Sequence, residues 1–80
     1  MMETPRDVLN EIKWRYEPSL NETEIYYVHR GAKGDFKVMN GSEIEELGRS
    51  FINCVEGHIP YHRVFKIIHK GEVVFSRERD

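Results

Sequence analysis

The sequence predicts an α+β fold: one N-terminal helix packed on a curled antiparallel sheet of four to six short strands, small and open-barrel-like. Three observations lead there. Apolar residues recur at strong helical spacing only near the N-terminus. After residue 24 the apolar runs alternate with a period of two. Two-residue turn signals such as Asn40-Gly41 and Lys70-Gly71 punctuate those runs. The length of 80 residues gives a single domain, 1–80, with no room for a second.

The helix is expected at about 5–15. Thr4 can cap it, Pro5 suits the first helical position, and Asp7 faces its positive end. Val8, Leu9, Ile12 and Tyr16 share one face, while Pro18 stops the helix and pushes Glu17 toward an extended form. Glu24–Arg30 is dense in β-branched and aromatic residues and reads as a strand. A loop follows over 31–35, then a short strand over 36–39. Ser42–Glu45 matches a capping box, and Ile44, Leu47 and Phe51 have helical spacing, so one or two helical turns are expected over 42–49. The remainder reads as a meander: strands over 50–55 and 58–69, the latter breaking near Arg63, and a last strand from Glu72. Ile59, Tyr61, Phe65 and Ile67 keep one parity and should share a face. The expected core is Val8, Leu9, Ile12, Trp14, Ile25, Tyr27, Val28, Phe51, Ile59, Ile67 and Val74.

Composition narrows the function classes. Hydrophobic residues make up 39% and charged residues 32%, which suits a small domain with a modest core. No apolar run approaches the roughly 20 residues of a membrane span. Met1-Met2-Glu3-Thr4-Pro5 carries no basic stretch leading into an apolar one, so no signal peptide is expected and the cytoplasm is the expected compartment. A net charge of -2 excludes a polycation that coats nucleic acid in bulk. One cysteine, Cys54, excludes an intrachain disulfide and a multi-cysteine zinc site. His58 and His62 flank Pro60, which disfavours a helix; on a strand they would stand about 13 Å apart, too far for one zinc. No metal and no cofactor are expected.

What remains is a polar cluster in two segments. The first runs from His29 to Lys37, and includes Arg30, Lys33 and Asp35. The second is Ile59-Pro60-Tyr61-His62-Arg63-Val64. Between residues 58 and 77 stand four basic residues, one acidic residue and three histidines. A guanidinium fork matches a phosphate bidentately, and a loop with two glycines can aim backbone N–H groups at an anion. Nearby tyrosines could stack on a base. The competing reading makes Arg63 a brace paired with Glu43, Glu45 or Glu46, and His29 a core histidine.

The ordered set of blocks resembles a known family. It comprises Arg6-Asp7-Val8-Leu9-Asn10-Glu11-Ile12-Lys13-Trp14, then Tyr27-Val28-His29-Arg30-Gly31, Gly34-Asp35 and Gly41-Ser42-Glu43-Ile44. Ile59-Pro60-Tyr61-His62-Arg63-Val64 and Gly71-Glu72-Val73-Val74-Phe75 complete it. It is similar, over about residues 6–77, to the small archaeal uncharacterised protein family called the RNA cyclic group end recognition domain. The resemblance implies binding of RNA ends that carry a 2′,3′-cyclic phosphate. The site residues it implies are His29, Arg30, Asp35, His62 and Arg63, supported by Lys33, Lys37 and Tyr61. Phe75 stands where the family commonly has tryptophan. A non-catalytic RNA-binding module is thus expected. The alternatives are a small phosphoesterase acting on the cyclic phosphate, with His29 and His62 as its acid–base pair, and a protein-interaction domain. A homo-oligomer or an RNA-processing protein partner is compatible with the exposed sheet edges such a domain would carry.

Overall fold

The computed structural model describes residues 4–15, 20–31 and 33–77. Helix α1 spans Pro5–Arg15, and Thr4 Oγ1 accepts the Asp7 N–H at 3.1 Å, the expected N-cap. Tyr16, the stop at Glu17-Pro18, Ser19 and Ala32 lie outside the described residues. Val8, Leu9 and Ile12 face inward. Trp14 was expected inside, but it is 86% exposed. At about 100° per residue it sits some 200° round the helix from Ile12, away from the apolar stripe.

Among the described residues seven strands follow: β1 Thr23–Val28, β2 Phe36–Asn40, β3 Ile44–Leu47, β4 Phe51–Cys54, β5 Gly57–Pro60, β6 Val64–His69 and β7 Glu72–Ser76. They form two antiparallel sheets, β2-β1-β6-β7 and β3-β4-β5, rather than one curled sheet of four to six strands, and no closed barrel. Two single 3-10 turns cause the division. Gly41–Glu43 leads from the larger sheet to the smaller, and Tyr61–Arg63 leads back. The capping box at the first turn centres on Asn40 rather than Ser42. The Asn40 side chain accepts the Ser42 N–H at 2.8 Å, and the Glu43 carboxylate accepts the Asn40 N–H at 3.3 Å. Only one turn therefore forms over 42–49, and Ile44–Leu47 is strand.

Both sheets turn one face to a shared core of Val8, Leu9, Ile12, Leu20, Ile25, Tyr27, Met39, Ile52, Cys54, Ile59, Tyr61, Val64 and Ile67. Three other expected positions differ. Phe51 is 46% exposed because Ile52 and Cys54 take the inner face of β4, and strand alternation sends Phe51 out. Val28 is only half-buried at the end of β1. Val74 is 39% exposed at a bulge, where Ile67 pairs with Phe75 but Ile68 pairs with Val73. A second bulge lies in β6: Tyr26 pairs with Lys66 and Tyr27 with Val64, so Phe65 is the extra residue. It leaves the inner parity, and Val64 replaces it in the core.

Polar contacts tie the parts together. The Gly48 carbonyl accepts from the Tyr61 hydroxyl at 2.7 Å and from Arg6 Nε at 3.2 Å, which links α1, the smaller sheet and the second 3-10 turn. Thr23 Oγ1 and His69 Nδ1 share a buried hydrogen bond of 3.1 Å between β1 and β6. Gly41 is required by crowding, since a Cβ there would stand 2.3 Å from the Leu20 carbonyl oxygen. No helix of the described residues is long and apolar enough to cross a membrane.

Ile12→Ala should cost about 2–5 kcal/mol in denaturant titration, while Trp14→Ala should stay within about 0.5 kcal/mol. Alkali should destabilise the fold through its two core tyrosines. Burial first, then the charges of Glu56, Cys54 and Glu43, raises the Tyr27 phenol above its ordinary value. Burial also raises Tyr61, against the lowering influence of Arg6. Each neutral phenol contributes stability that is complete below about pH 10, the unfolded value, and is lost as pH rises through the raised folded value. Melting temperature should fall above about pH 10, and Tyr27→Phe should flatten that fall.

Candidate nucleic-acid interface

One end of the two sheets brings together His29, His58, Arg63 and Glu56. A groove of about 190 Å³ there is lined by Tyr27, His29, Glu56, His58, Ile59, Pro60 and Arg63. β1 delivers Tyr27 and then His29, which follows the strand. β5 delivers His58, Ile59 and Pro60, and the 3-10 turn after it delivers Arg63. Residues far apart in sequence thus meet where the smaller sheet abuts the larger.

His29 is half-buried, its ring edge-on to Tyr27 with centroids 6.4 Å apart. Its N–H donates to the Asp35 carbonyl at 3.0 Å, which closes the 29–35 loop. Gly34 at φ 76° and Asp35 at φ 61° both adopt left-handed backbone there. A Cβ on Gly34 would stand 3.1 Å from the Phe36 ring, so a side chain there would press on that ring as well as strain the left-handed backbone. Arg63 is exposed, and among the described residues it makes no ion pair with Glu43, Glu45 or Glu46. The brace expected under the competing reading is therefore absent from that set.

The other sequence candidates divide. Lys37 reaches Glu56 across the two sheets at 3.7 Å, which offsets the one carboxylate lining the groove. Arg30 and Asp35 are exposed on the loop and do not line the groove. His62 points to solvent from the 3-10 turn, and its carbonyl accepts from Arg77. Tyr61 is buried with its hydroxyl held by Gly48, so it braces the turn instead of lining the groove. Lys33 contributes backbone to the turn Lys33–Asp35; its side chain lies outside the described set.

His58 is the residue that sequence reasoning left out of the site. It lines the groove beside His29 and Arg63, and its Nδ1 hydrogen-bonds Asn53 Oδ1. Asn53 Nδ2 in turn donates to Glu46 Oε1 at 3.2 Å. This orientation of the amide makes His58 Nδ1 the donor and leaves Nε2 as the ring's second polar atom. On one continuous strand its parity with His62 would give the two a shared face. The 3-10 turn breaks that parity. Among the described residues no group of three or more His, Cys, Asp or Glu side chains could hold a metal ion.

The groove therefore offers a guanidinium, two imidazoles and a tyrosine edge. That set suits an anion small enough for one groove, such as a phosphate ester.

Comparison with known proteins gives the family. The MJ1316 RNA cyclic group end recognition domain matches residues 2–77. The UPF0248 protein of Pyrococcus furiosus is 40% identical over 78 residues, covering 92% of this chain and 89% of its own length. That of Pyrococcus abyssi is 37% identical over 79 residues, covering 95% and 92%. That of Methanococcus maripaludis is 30% identical over 74 residues, covering 90% and 96%. No solved structure matches the chain significantly. With nearly its whole length matched, the chain belongs to the MJ1316 RNA cyclic group end recognition domain family.

Proposed function

We propose that this domain binds RNA ends bearing a 2′,3′-cyclic phosphate, as a non-catalytic module working in the cytoplasm. The observation that carries this reading is the groove that Arg63 shares with His29 and His58. The family name supplies the RNA class, and the groove supplies the chemistry. Arg63 has no acidic partner among the described residues, so its fork can serve a ligand. Its charge-assisted bonds to phosphate oxygens are the strongest available there. The His29 imidazole adds a donor, while the Nδ1–H of His58 is already given to Asn53. Lys37 holds Glu56 and reduces its repulsion of an anion. Arg30, His62 and Lys33 are placed by this reading along the RNA outside the groove.

A second reading has one observation in its favour. Two histidines lining one groove could act as general acid and base on a cyclic phosphate. The pair would be His29 and His58, since His62 does not line it.

A short RNA with a cyclic phosphate end should bind better than the same RNA with a 3′-hydroxyl, and should be recovered intact. Equal affinity for the two ends removes end recognition. Conversion to an open phosphate establishes the phosphoesterase instead. Arg63→Ala should weaken cyclic-end binding by about 1.5–3 kcal/mol, with Arg63→Lys between it and wild type. Melting temperature should hold in both variants; a parallel loss would make Arg63 structural. Glu56→Gln removes the groove's carboxylate and should tighten binding of the cyclic end by about 0.2–1 kcal/mol in the same titration.

A further inference from the structure

The larger sheet has a second face, and it carries an aromatic cluster. Ile25, Tyr27, Met39, Val64 and Ile67 point into the core, so strand alternation turns their neighbours outward. On β1 that outer face presents Tyr26 and Val28. Tyr26 stands opposite Val38 and Lys66, and Val28 stands opposite Phe36. The bulge in β6 adds Phe65 to the same face, next to Lys66. Three rings meet there: Tyr26–Phe36 at 6.1 Å, Tyr26–Phe65 at 6.2 Å and Phe36–Phe65 at 5.9 Å between centroids. Lys66 Nζ lies 4.7 Å from the centre of the Tyr26 ring. All three rings are half-buried, and Val38 beside them is 47% exposed. Helix α1 and the smaller sheet supply their buried residues to the core on the opposite side.

We infer that this outer face of β2, β1 and β6 is a stacking platform for unpaired RNA bases, across the rim of the sheet from the phosphate groove. The inference rests on the RNA reading above and specifies the form of RNA: a single-stranded end. Cross-strand aromatic pairs stabilise any sheet, and other features point beyond that role. The cluster occupies the face opposite Tyr27, at the end of the sheet where Val28 leads into His29 and Val64 follows Arg63, so Arg63 stands at the rim between groove and platform. Phe65 of the cluster is two residues beyond Arg63 in the chain. An RNA whose terminal phosphate is held at Arg63 would pass over that rim to lay its preceding bases on the rings.

Charge selects the occupant. Lys66 stands over Tyr26 and Arg63 precedes Val64 at the aromatic end, while at the opposite end of β1 Glu22 and Glu24 outnumber Lys70. An anionic chain with planar bases complements the first end. A base paired in a duplex cannot lay its face on the rings, whereas a splayed, unpaired base can.

The test measures anisotropy of a fluorescein-labelled oligouridine, ended by a cyclic phosphate or by a 3′-hydroxyl, with melting followed on every variant. Tyr26→Leu, Phe36→Leu and Phe65→Leu keep apolar bulk but remove a ring. Each should weaken both oligonucleotides by roughly 5- to 100-fold and leave their affinity ratio unchanged. Tyr26→Phe keeps the ring and should bind as wild type does. Arg63→Ala should instead collapse the ratio. Ring variants that melt normally and bind as tightly as wild type overturn the platform, whatever the ends do. Equal affinity for the two ends in wild type removes end recognition, yet leaves the platform standing if the ring variants still lose binding. A duplex of the same sequence bound as well as the single strand also overturns it. In case a leucine variant unfolds, ring proton shifts of wild-type Tyr26, Phe36 and Phe65 on adding oligouridine decide. Movement supports the platform, and unchanged shifts at saturation refute it.

Discussion

The hydrogen bond from the Tyr61 hydroxyl to the Gly48 carbonyl is the point on which the arrangement turns. Tyr61 opens the 3-10 turn by which the chain leaves the smaller sheet and enters β6. With its ring in the core and its hydroxyl anchored, the following residues have little freedom. His62 faces solvent, Arg63 faces the groove, and Val64 enters the core as β6 begins. The same carbonyl accepts from Arg6, so the helix is registered against the same spot. Arg77 adds bonds to the Tyr61 and His62 carbonyls and holds the turn from the far side.

Two sheets sharing one core explain why the groove exists. A single curled sheet would carry His29 and His58 on surfaces set by one continuous twist. Here β1 and β5 belong to different sheets, and their ends meet only because Ile25, Tyr27, Ile52 and Ile59 bury against each other. Apolar packing thus fixes the spacing of the polar groups. The Lys37–Glu56 pair across that junction is partly exposed, so it adds little to stability. Its effect is on the local charge of the groove.

Much of the fold could be read in the sequence, and the failures share a cause. Thr4, Pro5 and the Val8–Leu9–Ile12 stripe define α1 by local chemistry, and the structure agrees. Lys70-Gly71 likewise marks a real reversal, between β6 and β7, while Asn40-Gly41 marks the passage from the larger sheet to the smaller. Trp14 was assigned by residue type, although its angle on the helix already placed it outside. Phe51 was assigned by a helical spacing that belonged to a helix which does not form. Phe65 and Val74 depend on bulges, and a bulge is decided by the partner strand, which no local pattern reveals. The site follows the same rule. Arg63 and His29 are recognisable by type, but their meeting depends on sheet packing. In sequence His58 stands nearest His62, whereas its companions in space come from β1 and the turn.

The bulge at Val74 has a consequence for how the protein behaves in a crowded solution. β7 is an edge strand, and Val73 and Val74 are exposed on it. A flat strand of that composition would present a regular row of donors and acceptors, and a second chain could zip onto it. The extra residue breaks the spacing of that row and twists the strand locally. An incoming strand can match the edge on one side of Val74 or the other, but not along its whole length. The irregularity keeps an apolar margin from becoming a template for aggregation.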